Sequence, residues 1–239
     1  VQTGRFGAPI CDNAQMTTQF RAQGAILDLD GTLLDTVADL AAGTNAMLAE
    51  FGRDPLPLDT VRAYVGKGAQ VLVHRALTGS LDGQVDEALA RRGFESFLRH
   101  YAIENGRHAR IYPGVVEGLA LMRARGLRLA CVTNKHQAFA EPLLAATGLA
   151  DWFELIVGGD LLPRRKPDPL PMLHVCEHFG LAPSRMLAIG DSVNDAAAAR
   201  AAGMPVLVVP YGYNEGRPAD TIDADGVIGS IADVGAWLA

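Results

Sequence analysis

Lysine is nearly missing from this 239-residue chain: Lys67, Lys135 and Lys166 are the only three, and the other eighteen basic residues are arginine. Cysteine is scarce as well. Cys11, Cys131 and Cys176 are odd in number, far apart and without a C-x-x-C pair, which leaves no metal-ligand spacing and points to a reducing, cytoplasmic compartment. No run approaches 18 consecutive apolar residues, which excludes a membrane span. The first twenty residues lack the apolar stretch of a signal peptide, and residues 1–20 are expected to form an N-terminal extension or loose arm. The six histidines include no H-x-x-x-H pair, so a zinc site has little behind it. A net charge of −6 with 49% apolar and 20% charged residues argues against disorder and against a chain built to bind nucleic acid. The length allows one large domain, or one domain carrying a smaller partner.

What is present is a series of short apolar runs, each ending in small or polar residues. Residues 24–27 run into Asp28-Leu29-Asp30-Gly31-Thr32, and 127–132 into Thr133-Asn134. The run 154–157 ends at Gly158-Gly159-Asp160, 186–189 at Gly190-Asp191-Ser192, and 206–209 at Pro210. Such runs read as buried strands feeding turns. Helical patterns at 114–125, 135–147, 168–179 and 192–202 alternate with them, which predicts an α/β fold with a parallel sheet covered on both faces. Between 36 and 108 there is no convincing strand, only helical stretches at 37–51, 59–64, 69–77 and 85–100. Seventy residues exceed one crossover, so this stretch is expected to be an all-helical insertion, with the core formed by 21–35 and 109–239.

In an open parallel sheet, ligands bind beyond the carboxyl ends of the strands. Asp28 and Asp30, Thr133 and Asn134, Asp160, and Asp191 with Ser192 are all delivered to that edge, and Lys166 follows in a loop. Asp28, Asp30, Asp191 and Asp195 would repel one another, and a hard divalent cation relieves this; Mg²⁺ fits, because it combines a few carboxylates with water and phosphate. With a phosphoryl group held between metal and Lys166, a strand-end carboxylate can attack phosphorus in line and form an aspartyl-phosphate. Asp28 is assigned that attack. Asp30, two residues on, is placed to protonate the leaving alkoxide and then to activate water.

Asp28-Leu29-Asp30-Gly31-Thr32-Leu33-Leu34-Asp35, Thr133-Asn134, Lys166-Pro167 and Gly190-Asp191-Ser192-Val193-Asn194-Asp195 resemble, in order, the four motifs of the haloacid dehalogenase-like hydrolase superfamily. The resemblance spans 24 to about 229. It implies a Rossmann-like core, with Asp28 as nucleophile, Asp30 as acid/base, Thr133 as phosphate ligand and Lys166 as charge stabiliser. It also implies Mg²⁺ held by Asp28, the main-chain carbonyl of Asp30 and Asp191, with Asp195 nearby through water. The insertion resembles the family's helical C1 cap. Tyr64-Val65-Gly66-Lys67-Gly68-Ala69, Thr133-Asn134-Lys135 and Tyr211-Gly212-Tyr213-Asn214 are most similar to bacterial phosphoglycolate phosphatases, which implies a small phosphorylated metabolite, 2-phosphoglycolate, as substrate. A monomer or homodimer acting without nucleic acid or membrane is expected.

Several residues have a plainer reading beside the chemical one. Ser192-x-x-Asp195 fits a helix capping box as well as an anion and metal site. Asp35 and Thr36-x-x-Asp39 read as the start of the first inserted helix, and Asp168 as an N-cap before Pro169. Lys67 and Lys135 are either solvated charges, as lysine usually is, or anion contacts suited to a compact, mobile charge. Three alternatives to a phosphatase share parts of the pattern. A sugar phosphomutase keeps the same core. A phosphonate hydrolase would need a cap lysine for a Schiff base, and Lys67 is the one candidate. A phospho-Asp switch module gathers similar residues, but has neither an acid/base two positions after the acceptor nor a helical insertion.

Overall fold

The computed structural model of the chain describes residues 19–239. Most of the 1–20 extension therefore lies outside the described residues, as does Cys11. Phe20 belongs to the folded core: its N–H donates to Trp237 O at 2.7 Å, and its ring stacks on Trp237 with centroids 6.0 Å apart. From there β1 (Gly24–Leu27) leads through β2 (Leu34–Asp35) into α1 (Val37–Glu50), α2 (Leu58–Tyr64), α3 (Ala69–Thr78) and α4 (Glu87–Glu104). The chain returns by β3 (Arg110–Ile111) to α5 (Val115–Ala124), β4 (Arg128–Val132), α6 (Gln137–Ala146), β5 (Leu155–Val157) and α7 (Leu170–Phe179). It finishes with β6 (Met186–Gly190), α8 (Val193–Ala202), β7 (Val206–Val208) and β8 (Gly226–Val227), followed by a 3₁₀ segment, Ile231–Trp237.

Six strands form one sheet in the order β5-β4-β1-β6-β7-β8, and every pairing in it is parallel. Period two explains its two apolar faces. Ala25, Leu27, Leu129, Cys131, Leu187, Ile189 and Leu207 point into a cluster with Leu119 of α5 and Leu143 of α6. Ile26, Ala130, Val132, Ala188, Val206 and Val208 point the other way, against Val175 of α7 and Ala199 of α8. Because both faces are buried, the strands read as unbroken apolar runs. From β1 the chain builds outward first through β4 and β5 and then, on the other side, through β6 to β8. That reversal brings the carboxyl ends of β4, β1 and β6 together.

β2 and β3 pair antiparallel, Leu34 opposite Ile111 and Asp35 opposite Arg110. Between them α1–α4 pack around an apolar cluster of their own that includes Val37, Met47, Leu72, Phe97 and Tyr101. Asp39, in the first turn of α1, is fully buried; its carboxylate accepts the N–H groups of Gly106 (2.9 Å) and His108 (2.7 Å). It thereby staples the exit of the insertion to its start. Two-residue strands such as β2, β3 and β8 carry no periodicity, which is why the sequence predicts only five strands. Three helices also start two residues later than expected, α4 at Glu87 among them. α6 begins at Gln137 because His136 is extended, with φ −56 and ψ 139. α7 begins at Leu170 with Pro169 in the cap position, although Asp168 Oδ1 still accepts the Leu170 N–H at 2.9 Å. Among the described residues no helix is long and apolar enough to cross a membrane.

Candidate active site

Asp28 follows the last residue of β1 and stays in register with the sheet, its N–H donating to Ile189 O at 3.0 Å. Lys166, brought in by the loop after β5, is buried and has three neighbours: Val132 O at 2.6 Å, Asp195 Oδ1 at 2.6 Å and Asp28 Oδ1 at 2.9 Å. The contact with Asp28 is an ion pair whose angle falls outside hydrogen-bond geometry, so this buried Oδ1 accepts no hydrogen bond. Asp191, just past β6, accepts the Thr32 hydroxyl at 2.8 Å and the Tyr213 N–H at 2.5 Å. Gly31 and Gly212 crowd this carboxylate so closely that a Cβ on either would overlap it. Gly31 also has φ +90, which only glycine adopts freely.

Carboxylate oxygens of Asp28, Asp191 and Asp195 all lie within 4.8 Å of one another, and Lys166 is the lysine among them. Burial, with repulsion from Asp195, pushes the Asp28 carboxyl up to about 7 against the pull of Lys166. Asp191 is raised well above the ordinary carboxylate range by burial and by Asp195 and Asp28. Burial works against the charge on Lys166, but Asp195 and Asp28 hold its pKa above the usual lysine value. Three carboxylates, those of Asp191 and Asp195 buried and that of Asp28 partly so, face one ammonium and form a hard-donor set short of positive charge. That fits a divalent cation. The carboxylate of Asp30 is not in this group, so only its main chain is free to join a metal shell.

Asp30 turns instead toward Lys135, whose Nζ lies 3.0 Å from Oδ1 and 3.1 Å from Oδ2. The Thr36 hydroxyl donates to Oδ1 at 2.7 Å, so Thr36 is not a side-chain cap for α1 as its position predicts; its proton goes to the partly buried Asp30 carboxylate instead. Thr133, Asn134 and Lys135 line a cleft between the sheet edge and the insertion, together with Asp28 and Asp30. The opposite wall is mainly apolar, with Leu40, Val65, Leu72, Phe97 and Tyr101, and about 540 Å³ of empty space, part of it open to solvent, lies between. Asn134 Nδ2 donates to Lys166 O at 3.0 Å and to Gly66 O at 3.3 Å, and Asn194 donates to the same Gly66 carbonyl. Two core amides thus hold the Gly66–Gly68 segment over the cleft.

The remaining expected residues sit further back. Ser192 gives both its N–H (3.1 Å) and its hydroxyl (2.6 Å) to Asp195 Oδ2, so its hydroxyl braces a carboxylate. Lys67 does not line the cleft; its Nζ pairs with Glu215 at 2.8 Å, and its side chain is 41% exposed. Glu215 also takes the buried Arg75 guanidinium at 2.5 Å, tying the loop after β7 to α3. Asp160 caps α6, its Oδ1 accepting the Gln137 N–H at 2.7 Å. Sequence reasoning missed Thr32, Thr36, Tyr101 and Tyr213 as parts of the site. Tyr213 accepts the N–H groups of Thr36 (2.8 Å) and Val37 (3.1 Å) at its hydroxyl, which in turn donates to Asp35 at 2.6 Å. Its one sequence signal is its place in Tyr211-Gly212-Tyr213-Asn214.

A family model described as haloacid dehalogenase-like hydrolase matches residues 22–203. The chain belongs to that family. Hydrolases of this family generally use a divalent metal, in keeping with the acidic triad. Relatives named phosphoglycolate phosphatase include one from Thiobacillus denitrificans, 52% identical over 88% of this chain and 93% of its own. Another, from Nitrosospira multiformis, is 53% identical over 87% of this chain and 92% of its own. Among solved structures, a "predicted phosphoglycolate phosphatase" from Haemophilus somnus 129pt superposes with a TM-score of 0.84 at 34% identity, covering 90% of this chain and 96% of that one.

Proposed function

We propose that this haloacid dehalogenase-like hydrolase removes phosphate from 2-phosphoglycolate, with Asp28 as nucleophile, Asp30 as general acid/base and Mg²⁺ as the resident cation. The observation that carries the reading is the Asp28 carboxylate on the cleft floor, its buried Oδ1 paired with the Lys166 ammonium at 2.9 Å and with no other donor aligned on it. An in-line attack needs an ionised, positioned carboxylate and a positive environment for the transferring phosphoryl group. Asp28, the main-chain carbonyl of Asp30 and Asp191 would hold the ion, with Asp195 behind them. Once bound, the ion supplies Lewis-acid stabilisation of the phosphoryl oxygens.

Thr133 is the hydroxyl placed to receive phosphate at the end of β4. Lys166 balances charge on the attacked group, and Asp30 handles the proton of the leaving oxygen and then that of water. Lys135 acts on Asp30, and Asn134 sets the position of Gly66, so both serve the substrate indirectly. The helical insertion 36–108 serves as the cap that excludes water and shapes the leaving-group end of the cleft. The substrate name comes from the relatives of about half-identical sequence. Lys67, engaged by Glu215, gives no support to a phosphonate hydrolase that would form a Schiff base on a cap lysine. The buried free thiols Cys131 and Cys176 accord with a cytoplasmic setting.

The test is phosphate release from 2-phosphoglycolate, sugar phosphates and nucleotides with and without Mg²⁺. Mg²⁺-dependent release with the highest kcat/KM on 2-phosphoglycolate is expected. A higher kcat/KM on a sugar phosphate overturns the substrate, and undiminished release in chelator overturns the role of the ion.

A further inference from the structure

The phosphatase reading gives no task to a buried tyrosine of the cap. Tyr101 lies in the last turns of α4, 2% exposed, and its phenol oxygen accepts a hydrogen bond from Lys135 Nζ at 2.6 Å. The same ammonium lies 3.0 and 3.1 Å from the two oxygens of Asp30. An ammonium has three protons, and these three contacts use them all. Two of the acceptors belong to the core's acid/base; the third belongs to the cap.

We propose that Tyr101 is a positioning residue for Asp30, acting through Lys135, and that the acid/base is fully aimed only when α4 is seated over the cleft. The inference rests on the assignment of Asp30 as general acid/base. Lys135 is a flexible four-carbon stem. Its head needs an anchor on the far side if its two-pronged contact is to fix the plane of the Asp30 carboxyl group. Tyr101 supplies that anchor from a ring that cannot itself move. Phe97 is stacked on it at 5.2 Å and Phe139 meets it edge-on at 5.1 Å, so the oxygen is held by packing from both the cap and α6. Thr36, in the connection leading into the cap, holds Asp30 Oδ1 from another direction at 2.7 Å. Asp30 is thus held by Lys135 from the core and Thr36 from the connection to the cap, and the cap reaches it through Tyr101 and Lys135.

Tyr101→Phe keeps the ring and its packing and deletes only the acceptor. The readout that separates positioning from packing is the leaving group. An alkyl phosphate such as 2-phosphoglycolate needs a proton on its departing oxygen, whereas p-nitrophenolate departs without one. For Tyr101→Phe, kcat/KM on the alkyl phosphate is expected to fall by about 10- to 30-fold, part of the roughly 10²–10⁴-fold that general acid catalysis contributes. On p-nitrophenyl phosphate it is expected to change by less than about twofold.

Equal losses on both phosphates, in protein whose melting temperature shows it folded, would mean that the hydroxyl serves packing alone and would overturn the proposal. No loss on either would overturn it too. Failure of the phosphatase reading is visible separately, because the unsubstituted chain would then turn over neither compound.

Discussion

The two walls of the cleft are built on opposite principles. The floor, at the ends of β1, β4 and β6, is charged: Asp28, Asp30 and Lys135 line it, and Asp191, Asp195 and Lys166 lie buried behind Asp28, each within a few ångströms of the next. The roof, from α1, α3, α4 and the Val65–Gly68 segment, is mostly hydrocarbon, with one phenol reaching down to Lys135. Charge on the floor is fixed to main chain that the parallel sheet holds rigid, as an electrostatic site must be if it is to meet developing charge without reorganising. Apolar side chains on the roof set shape and exclude water at the leaving-group end while taking no part in the charge chemistry. Chemistry is therefore assigned to the floor, and choice of leaving group to the roof.

If that division holds, floor substitutions damage turnover of every substrate alike. Asp28→Asn removes the nucleophile and is expected to lower phosphate release by more than about 10³-fold on every phosphomonoester tested. The check is a substrate panel with matched circular dichroism spectra. Lys166→Met leaves Asp28 and Asp195 buried without their cation. Loss of one partner from such a group costs about 3–5 kcal/mol, read in urea unfolding, and added Mg²⁺ should restore part of it. A change on the roof should act differently. Val65→Ala, which widens the cleft by two methyl groups, is expected to shift the kcat/KM ratio of a bulkier phosphomonoester to 2-phosphoglycolate by about tenfold, the scale of a small apolar contact, with the Mg²⁺ requirement unchanged.

A pH effect sharpens the picture of the floor alone. Asp28 is raised from 3.8 to about 7 by burial, opposed by Lys166 and aided by Asp195. Between those values the folded chain binds more protons than the unfolded one, so without a divalent ion stability falls as pH rises from about 4 to about 7. Thermal melts in chelator across that range should show the decline. Mg²⁺ should offset it most at the upper end, where the carboxylates are ionised.

The same contrast explains which parts were legible in the sequence. Asp28 and Asp30 sit two apart in a turn after an apolar strand, and Asp191, Ser192 and Asp195 occupy a strand end and the first turn of α8. Their chemistry depends on local spacing that a linear reading exposes. Tyr101 lies four residues after Phe97 on α4, so it reads as one more residue of an apolar stripe, and its partner Lys135 is 34 residues away. Tyr213 meets Thr36 across 177 residues, and Thr36 offers a better local role as a helix start than the one it takes with Asp30. Lys67 carried the opposite risk. Its glycine-flanked position suggested a substrate contact, but Glu215, on a distant loop, engages it. Roof residues act through tertiary contacts, and no local pattern announces them.

The central claim, phosphoryl transfer to Asp28, is tested most directly by trapping the adduct. Asp30→Asn mixed with p-nitrophenyl phosphate and Mg²⁺ should still form the aspartyl-phosphate, because the departing phenolate needs no proton, but should hydrolyse it slowly for want of a base. Acid quenching and peptide mapping are predicted to find a phosphoryl group on Asp28, approaching stoichiometry with the chain. A phosphoryl group on another residue, or release of p-nitrophenolate in step with phosphate and no label on Asp28, would contradict the account.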